Sequence, residues 1–130
     1  MPLDPSAFSH NEAWLLFQLN RVPVRTERDG EFNAMAIMEV ATGMIFGIQL
    51  VQIRAACMPE FQARKLLAAA EHEARCRPER LFVGAECDED DFVRIATAMG
   101  IEVQRVPGVE LAEVTREAIE GFATHVSGTQ

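Results

Sequence analysis

The sequence predicts an α/β protein with a mixed five-stranded sheet and the element order β-β-β-α-β-α-β-α. Two apolar segments within residues 31–52 flank a short Ala41-Thr42-Gly43 turn, which is typical of an antiparallel hairpin. Two further short apolar segments, residues 80–85 and 101–106, alternate with segments of helical periodicity. Because a helix connects these last two strands, they are expected to be parallel, and the sheet is therefore mixed.

The first strand has two candidate positions. Residues 14–19 begin with an apolar run and fit a strand or a short helix, whereas residues 21–25 lie before the strong turn dipeptide Asp29-Gly30. Residues 31–39 and 44–53 then form the second and third strands of a meander. Gly43 suits a turn position that requires a positive φ.

Three amphipathic segments predict helices. The first opens at Met58-Pro59 and stops before Pro78, because proline is tolerated in the first turn and breaks a helix interior. The second follows Asp88, a favourable N-cap, and ends at Gly100. The third follows Pro107-Gly108. Its apolar face consists of Leu111, Val114, Ala118 and Phe122.

Length and composition predict one soluble domain. The 130 residues are 48% hydrophobic and 25% charged, which is ordinary for a globular protein. We expect a core over residues 12–122, a loose N-terminal lead-in and a loose C-terminal tail. The sequence has no apolar run near the roughly 20 residues of a membrane helix and no signal-peptide pattern. It therefore predicts a cytoplasmic protein without a membrane partner.

The charge disfavours nucleic acid as a partner. The net charge is −8 and Lys65 is the single lysine, so the chain is an unfavourable free-standing binder of phosphate backbones. Three cysteines without a CxxC spacing predict reduced thiols. An alternative is a metal held by His72 and Cys76, four residues apart on a helix, with Cys87 as a third ligand.

Two stretches resemble the catalytic core of integrases and transposases, which have the ribonuclease H-like fold. Residues 38–47, MEVATGMIFG, resemble the hairpin between the second and third strands of those enzymes. Residues 80–102, RLFVGAECDEDDFVRIATAMGIE, resemble their fourth strand, the carboxylate after it, the next helix and the entry to strand five. The resemblance covers roughly residues 12–122.

The resemblance implies a site of three carboxylates that holds two divalent metal ions. The place of the first acid falls on Phe17 or Gln18, neither of which is an anionic ligand. Glu86 matches the second acid, with Asp88 behind it. Glu113 or Glu117 stands where the third is expected, on the last helix.

Two functions follow from this comparison. The first is a non-catalytic module, without a cofactor, that acts through protein contacts or as a homodimer. The alternative is a Mg²⁺- or Mn²⁺-dependent nuclease or strand-transferase with a rearranged site. Its candidate catalytic residues are Glu86, Asp88, Glu113 and Glu117, with Glu86 and Asp88 as metal ligands and Glu39 as a further candidate. A third option is a small-molecule sensor that uses the crevice near Gly84 and Glu86.

Two acidic groups and one strand edge have more than one interpretation. The acids of residues 86–91 fit a metal pocket at a strand end or the stabilised start of a helix. Glutamates at 110, 113, 117 and 120 fit a solvated helix face or a docking face for a basic partner. If the central hairpin or residues 21–25 lie at a sheet edge, that edge can pair with another chain.

Overall fold

The computed structural model describes residues 3–28, 30–53, 55, 57–85 and 89–128, with the backbone alone for residue 26 and residues 125–128. The strands are β1 (Ala13–Gln18), β2 (Val24–Thr26), β3 (Gly30–Glu39), β4 (Ile45–Gln52), β5 (Arg80–Gly84) and β6 (Glu102–Val106). The helices are α1 (Glu60–Ala74), α2 (Asp90–Ala98) and α3 (Gly108–Gly128). A short 3₁₀ helix, Pro5–Ala7, precedes β1.

The strands form one mixed sheet. Its long strands lie in the order β4-β3-β1-β5-β6. The pairs β3–β4 and β1–β3 are antiparallel, whereas β1–β5 and β5–β6 are parallel. The predicted mixed α/β architecture is therefore confirmed, with one strand more before α1 than the predicted element order.

Two strands, rather than the predicted one, precede the hairpin and pair with β3. β1 pairs with residues 35–39 of β3 and β2 pairs with residues 30–32. Phe32 pairs with Val24 on one side and with Gln52 of β4 on the other, so β2 continues β1 along the same edge of β3. The prediction of one first strand at either 14–19 or 21–25 was incomplete, because both segments contribute. The sheet thus has six strands in five positions.

Asn20 holds the junction between β1 and β2. Its side chain is buried, and its Oδ1 accepts a hydrogen bond from the Ala34 backbone N–H at 2.6 Å. Its Nδ2 donates to the Val22 carbonyl at 3.2 Å and to Asn33 Oδ1 at 3.0 Å. The side chain therefore replaces strand pairing where the first strand breaks.

Helices cover both faces of the sheet, as predicted. Alternate residues of β1 point to opposite faces, so Trp14 and Leu16 pack towards α1 and α2, whereas Leu15 and Phe17 pack towards α3. Because both faces are covered, the strand has a continuous apolar run instead of a polar alternation. The largest side chain of this core, Trp14, makes an edge contact with Phe46 at 5.7 Å between ring centroids.

The predicted turns and helix ends are largely confirmed. Gly43 has φ +77° in the hairpin turn and Gly100 has φ +87° just after α2. Pro59 stands at the N-cap of α1. The residue at the N-cap of α2 is Glu89, so the prediction of Asp88 was one residue early; Asp88 itself lies outside the described residues.

The N-terminal lead-in is packed, where the sequence predicted a loose segment. Leu3 and Phe8 contact the core on the α3 face, and the Phe8 ring meets Phe82 edge-on at 5.7 Å. The Leu3 N–H also donates to the Glu110 carbonyl at 3.1 Å. At the other terminus α3 extends to Gly128, beyond the predicted core limit of residue 122.

Among the described helices, we find none with both the length and the apolar character required to cross a bilayer.

Candidate functional site at the strand ends

A cavity of about 530 Å³ lies at the carboxyl ends of the strands β1 and β5. Ligands of open α/β sheets bind at such carboxyl ends of strands, and this volume suits a small ligand. Its wall includes Phe17 and Gln18 from β1, Gly84 from β5 and Gly108 at the start of α3. This is the place where the resemblance to integrases predicts the carboxylate site.

The side chains of β1 at this cavity carry no negative charge. Phe17 belongs to the buried cluster beneath α3. The Gln18 Nε2 donates to the Asn20 carbonyl at 2.8 Å, which turns the Gln18 side chain towards the β1–β2 junction. At the end of β1 the cavity is therefore lined by a phenyl ring and a neutral amide.

The face of α3 towards the cavity is also uncharged. It presents Leu111, Ala112, Thr115 and Ile119. Thr115 is buried, and its hydroxyl donates to the Leu111 carbonyl at 2.9 Å within the same helix. This helix face therefore offers no carboxylate to a metal ion.

Glu89 is the carboxylate among the described residues that line the cavity. Its Oε2 accepts a hydrogen bond from the Met58 backbone N–H at 2.7 Å, which connects the start of α2 to the segment before α1. The predicted metal ligands Glu86 and Asp88, and Cys87 between them, lie outside the described residues. Their metal-binding role stays a prediction.

Glu113 and Glu117 lie on a different side of α3. They line a separate groove of about 240 Å³ beside the Ala41–Gly43 turn, together with Arg116. The Arg116 Nη2 lies 3.3 Å from Glu113 Oε1. In the part of the chain that the structure describes, these two acids are therefore not brought to the strand-end cavity.

Glu39, the further candidate, is buried at the end of β3 and acts as a structural anchor. Its Oε2 accepts the Asn11 backbone N–H at 2.6 Å and its Oε1 accepts the Thr42 hydroxyl at 2.7 Å. His10 Nδ1 lies 3.4 Å from the same Oε1. These contacts fasten the lead-in and the hairpin turn to the sheet, which explains why a carboxylate is tolerated there.

We expect Glu39→Gln to lower the free energy of unfolding by about 1–2 kcal/mol, because hydrogen bonds to a charged acceptor are stronger than those to an amide. Urea unfolding followed by circular dichroism measures the change. Glu73→Gln, at an exposed position of α1, is the matched control and should leave stability unchanged. Equal stability of Glu39→Gln and the wild type would contradict the anchor role.

The described donors do not fit a two-metal site. A site of that kind needs several carboxylates around one point, and β1 and α3 supply none to the strand-end cavity. Over the described ranges, no group of three His, Cys, Asp or Glu side chains could hold a metal ion. The alternative with His72 and Cys76 stays a prediction, because its third candidate, Cys87, lies outside those ranges.

Hydrogen bonds perturb one carboxyl group that does not line the cavity. The pKa of Glu60, on the exposed surface of α1, is lowered chiefly by the hydrogen bond from Arg64, with charge attraction from Arg64 and Arg94. The Glu60–Arg64 pair has the i,i+4 spacing of a surface helix pair. It marks a solvated helix face rather than a reactive centre.

No protein-family model matches this sequence, and no curated protein matches it. Solved structures do match its fold. An HTLV-2 integrase catalytic core in complex with magnesium (trimeric form) has 11% identity and a TM-score of 0.50, over 82% of this chain and 65% of that one. The dimeric form has 8% identity and a TM-score of 0.49, over 75% and 62%.

The simian T-cell lymphotropic virus intasome, in complex with PP2A regulatory subunit B56 gamma, has 12% identity and a TM-score of 0.57. The match covers 82% of this chain and 37% of that one. The chain thus spans less than two thirds of each of these three chains. At these identities the likeness concerns the fold alone: the protein has the ribonuclease H-like fold of integrase catalytic cores.

Proposed function

We propose that this chain is a non-catalytic ribonuclease H-like module that acts through contacts with proteins. The observation that carries the proposal is the pair Phe17 and Gln18 at the strand-one position of the cavity. A phenyl ring cannot coordinate a hard cation, and a neutral amide replaces a carboxylate poorly. The uncharged face of α3 at the cavity supports the same conclusion.

The surface charge supports a protein partner over nucleic acid. Many of the arginines that could contact phosphate lie beside carboxylates instead. The pairs are Arg25–Glu31, Arg64–Glu60, Arg77–Glu71, Arg80–Glu102, Arg94–Asp91, Arg105–Asp90 and Arg116–Glu113. With a net charge of −8, the protein as a whole repels a polyanion.

The proposal includes a cytoplasmic location. Cys76 is a free thiol, which is the usual state of cysteine in a reducing compartment.

The alternative function is a divalent-metal nuclease or strand-transferase. One observation favours it: Gly84, the last residue of β5, lines the cavity, and Glu86 and Asp88 follow Gly84 in the sequence. This alternative needs further ligands, because Glu113 and Glu117 line the groove at the hairpin turn. The HTLV-2 core was determined with magnesium, so Mg²⁺ is a suitable ion for a test, with Mn²⁺ beside it.

A thermal-unfolding series with Mg²⁺ and Mn²⁺ separates the two functions. We expect the midpoint of the wild type to stay unchanged. A metal that binds only the folded state would raise the free energy of unfolding by about 2.7 kcal/mol when its concentration is one hundred times its dissociation constant. Glu86→Ala tests the predicted ligand, and Glu73→Ala is a control with the same charge change on the exposed face of α1.

A rise in the midpoint that Glu86→Ala removes and Glu73→Ala retains would contradict the non-catalytic proposal. Cleavage of labelled DNA by the wild type with Mn²⁺, and not by Glu86→Ala, would establish the alternative.

A further inference from the structure

β4 lies at an edge of the sheet and presents its backbone outward. Among the described strands it pairs with β3 alone. The Ala34 N–H and C=O point towards the β1 side of β3, since they bond to Asn20 Oδ1 and to the Leu19 N–H. Leu50 of β4 lies opposite Ala34. In an antiparallel pair, two opposite residues either bond to each other or both direct their N–H and C=O groups away from each other. The N–H and C=O of Leu50 therefore point away from β3.

The same parity holds along the strand. Ile48 and Gln52 lie two residues to either side of Leu50, so their N–H and C=O groups also point away from β3. The irregularity in the β3–β4 pairing falls between Ile37 and Met38, near the start of β4. The part from Ile48 to Gln52 is therefore a regular strand edge.

This edge lacks the usual protection against pairing. Natural proteins place charges, proline or bulges on exposed edges, yet β4, IFGIQLVQ, contains no charge and no proline. It also carries exposed apolar side chains, Ile48 at 51% and Leu50 at 40% exposure. Met44 and Ile53, at the two ends of the strand, are exposed as well. Exposed apolar groups thus concentrate along β4.

We propose that β4 pairs antiparallel with β4 of a second copy of this chain, which joins the two sheets into one. Charge favours this surface over others for self-association. Two molecules with a net charge of −8 repel each other, and the repulsion is smallest where the contacting segments are uncharged. An antiparallel pair of identical strands is related by a two-fold axis, so the edge is its own complement.

An axis at Leu50, the middle one of the three outward residues, lets all three of them pair. Leu50 then faces Leu50 of the second copy, and Ile48 faces Gln52, with outward backbone groups on both sides exchanging hydrogen bonds. The Leu50 and Ile48 side chains of both copies lie on one face and cover each other. The Leu50 carbonyl accepts from Gln62 Nε2 at 3.2 Å and from Gln49 Nε2 at 3.4 Å, and pairing with a second strand replaces these two side-chain bonds by backbone bonds.

Sedimentation equilibrium across the micromolar range tests the inference, which rests on the proposed action through protein contacts. We expect the wild type to dimerise and Leu50→Lys to raise the dimer dissociation constant at least tenfold, because two ammonium groups then meet at the axis. Gln52→Pro removes the backbone N–H that points towards the second copy. This N–H makes no hydrogen bond to β3, so the substitution should weaken the dimer without breaking the β3–β4 pairing. Phe61→Lys is the matched control, an exposed apolar residue on α1, and should dimerise like the wild type.

Far-UV circular dichroism checks that each variant is folded. A monomeric wild type, or a dimer that neither Leu50→Lys nor Gln52→Pro weakens, overturns the β4 interface. Either result leaves the non-catalytic proposal intact. Metal-dependent cleavage would overturn that proposal, whether the protein is a monomer or a dimer.

Discussion

Replacement of Trp14 by Ala should lower the free energy of unfolding by about 3–5 kcal/mol. Trp14 is fully buried in the core beneath α1 and α2 and contacts the Phe46 ring. Its removal leaves a large cavity between β1 and the helices, and the helices are held in place by many other side chains. They therefore cannot close the cavity completely. Urea unfolding followed by circular dichroism measures the loss. All titrations use one protein concentration, because the proposed dimer would add to apparent stability.

Trp14→Phe is the informative control for this prediction. The Trp14 Nε1 has no hydrogen-bond partner in the described part of the structure. Phenylalanine retains most of the buried ring area and removes a donor that makes no bond, so we expect a loss of only about 1–2 kcal/mol. A loss as large as that of Trp14→Ala would indicate that the indole N–H makes a bond essential to the core.

Replacement of Asn20 by Ala should lower the free energy of unfolding by about 2–3 kcal/mol. The substitution leaves the buried Ala34 N–H without an acceptor, and an unsatisfied buried donor costs about 1–3 kcal/mol. It also removes the donors to the Val22 carbonyl and to Asn33 Oδ1. The same urea titration measures the change.

Asn33→Ala separates the backbone bond from the side-chain bond. It removes one partner of Asn20 and leaves the bond to Ala34, so its cost should be about half that of Asn20→Ala. Amide hydrogen exchange gives a local readout: in Asn20→Ala, the Ala34 amide should lose protection. Unchanged protection of that amide would show that Asn20 does not hold the junction.

Local patterns were sufficient to predict most of the elements. The turn at Gly43 requires a positive φ, which marks the hairpin in the sequence itself. Similarly, Pro59 and Gly100 mark helix ends by steric rules that act within a few residues. The strands β5 and β6 are short apolar segments between helices, and this alternation implies their parallel pairing.

The broken first strand could not be predicted in the same way. Whether residues 14–19 or 21–25 pair with β3 depends on contacts with residues 30–39, which are distant in the sequence. Asn20 resembles an ordinary loop residue in the sequence, and the one hint is its place between two strand candidates. The packing of Phe8 on Phe82 is likewise a long-range contact without a local signal.

The candidate site shows the same division. The sequence by itself determined the hairpin and the alternation of helices and strands after it, because these follow from spacing along the chain. Only the pairing of β1 with β3 decided that residues 13–18, with Phe17 and Gln18 at their end, reach the cavity. The tertiary structure decided which face of α3 meets the cavity, and it placed Thr115 there and Glu113 at the hairpin groove. It also decided that β4 is an edge. Helix rotation and strand order depend on packing between distant segments, and for that reason local periodicity leaves them open.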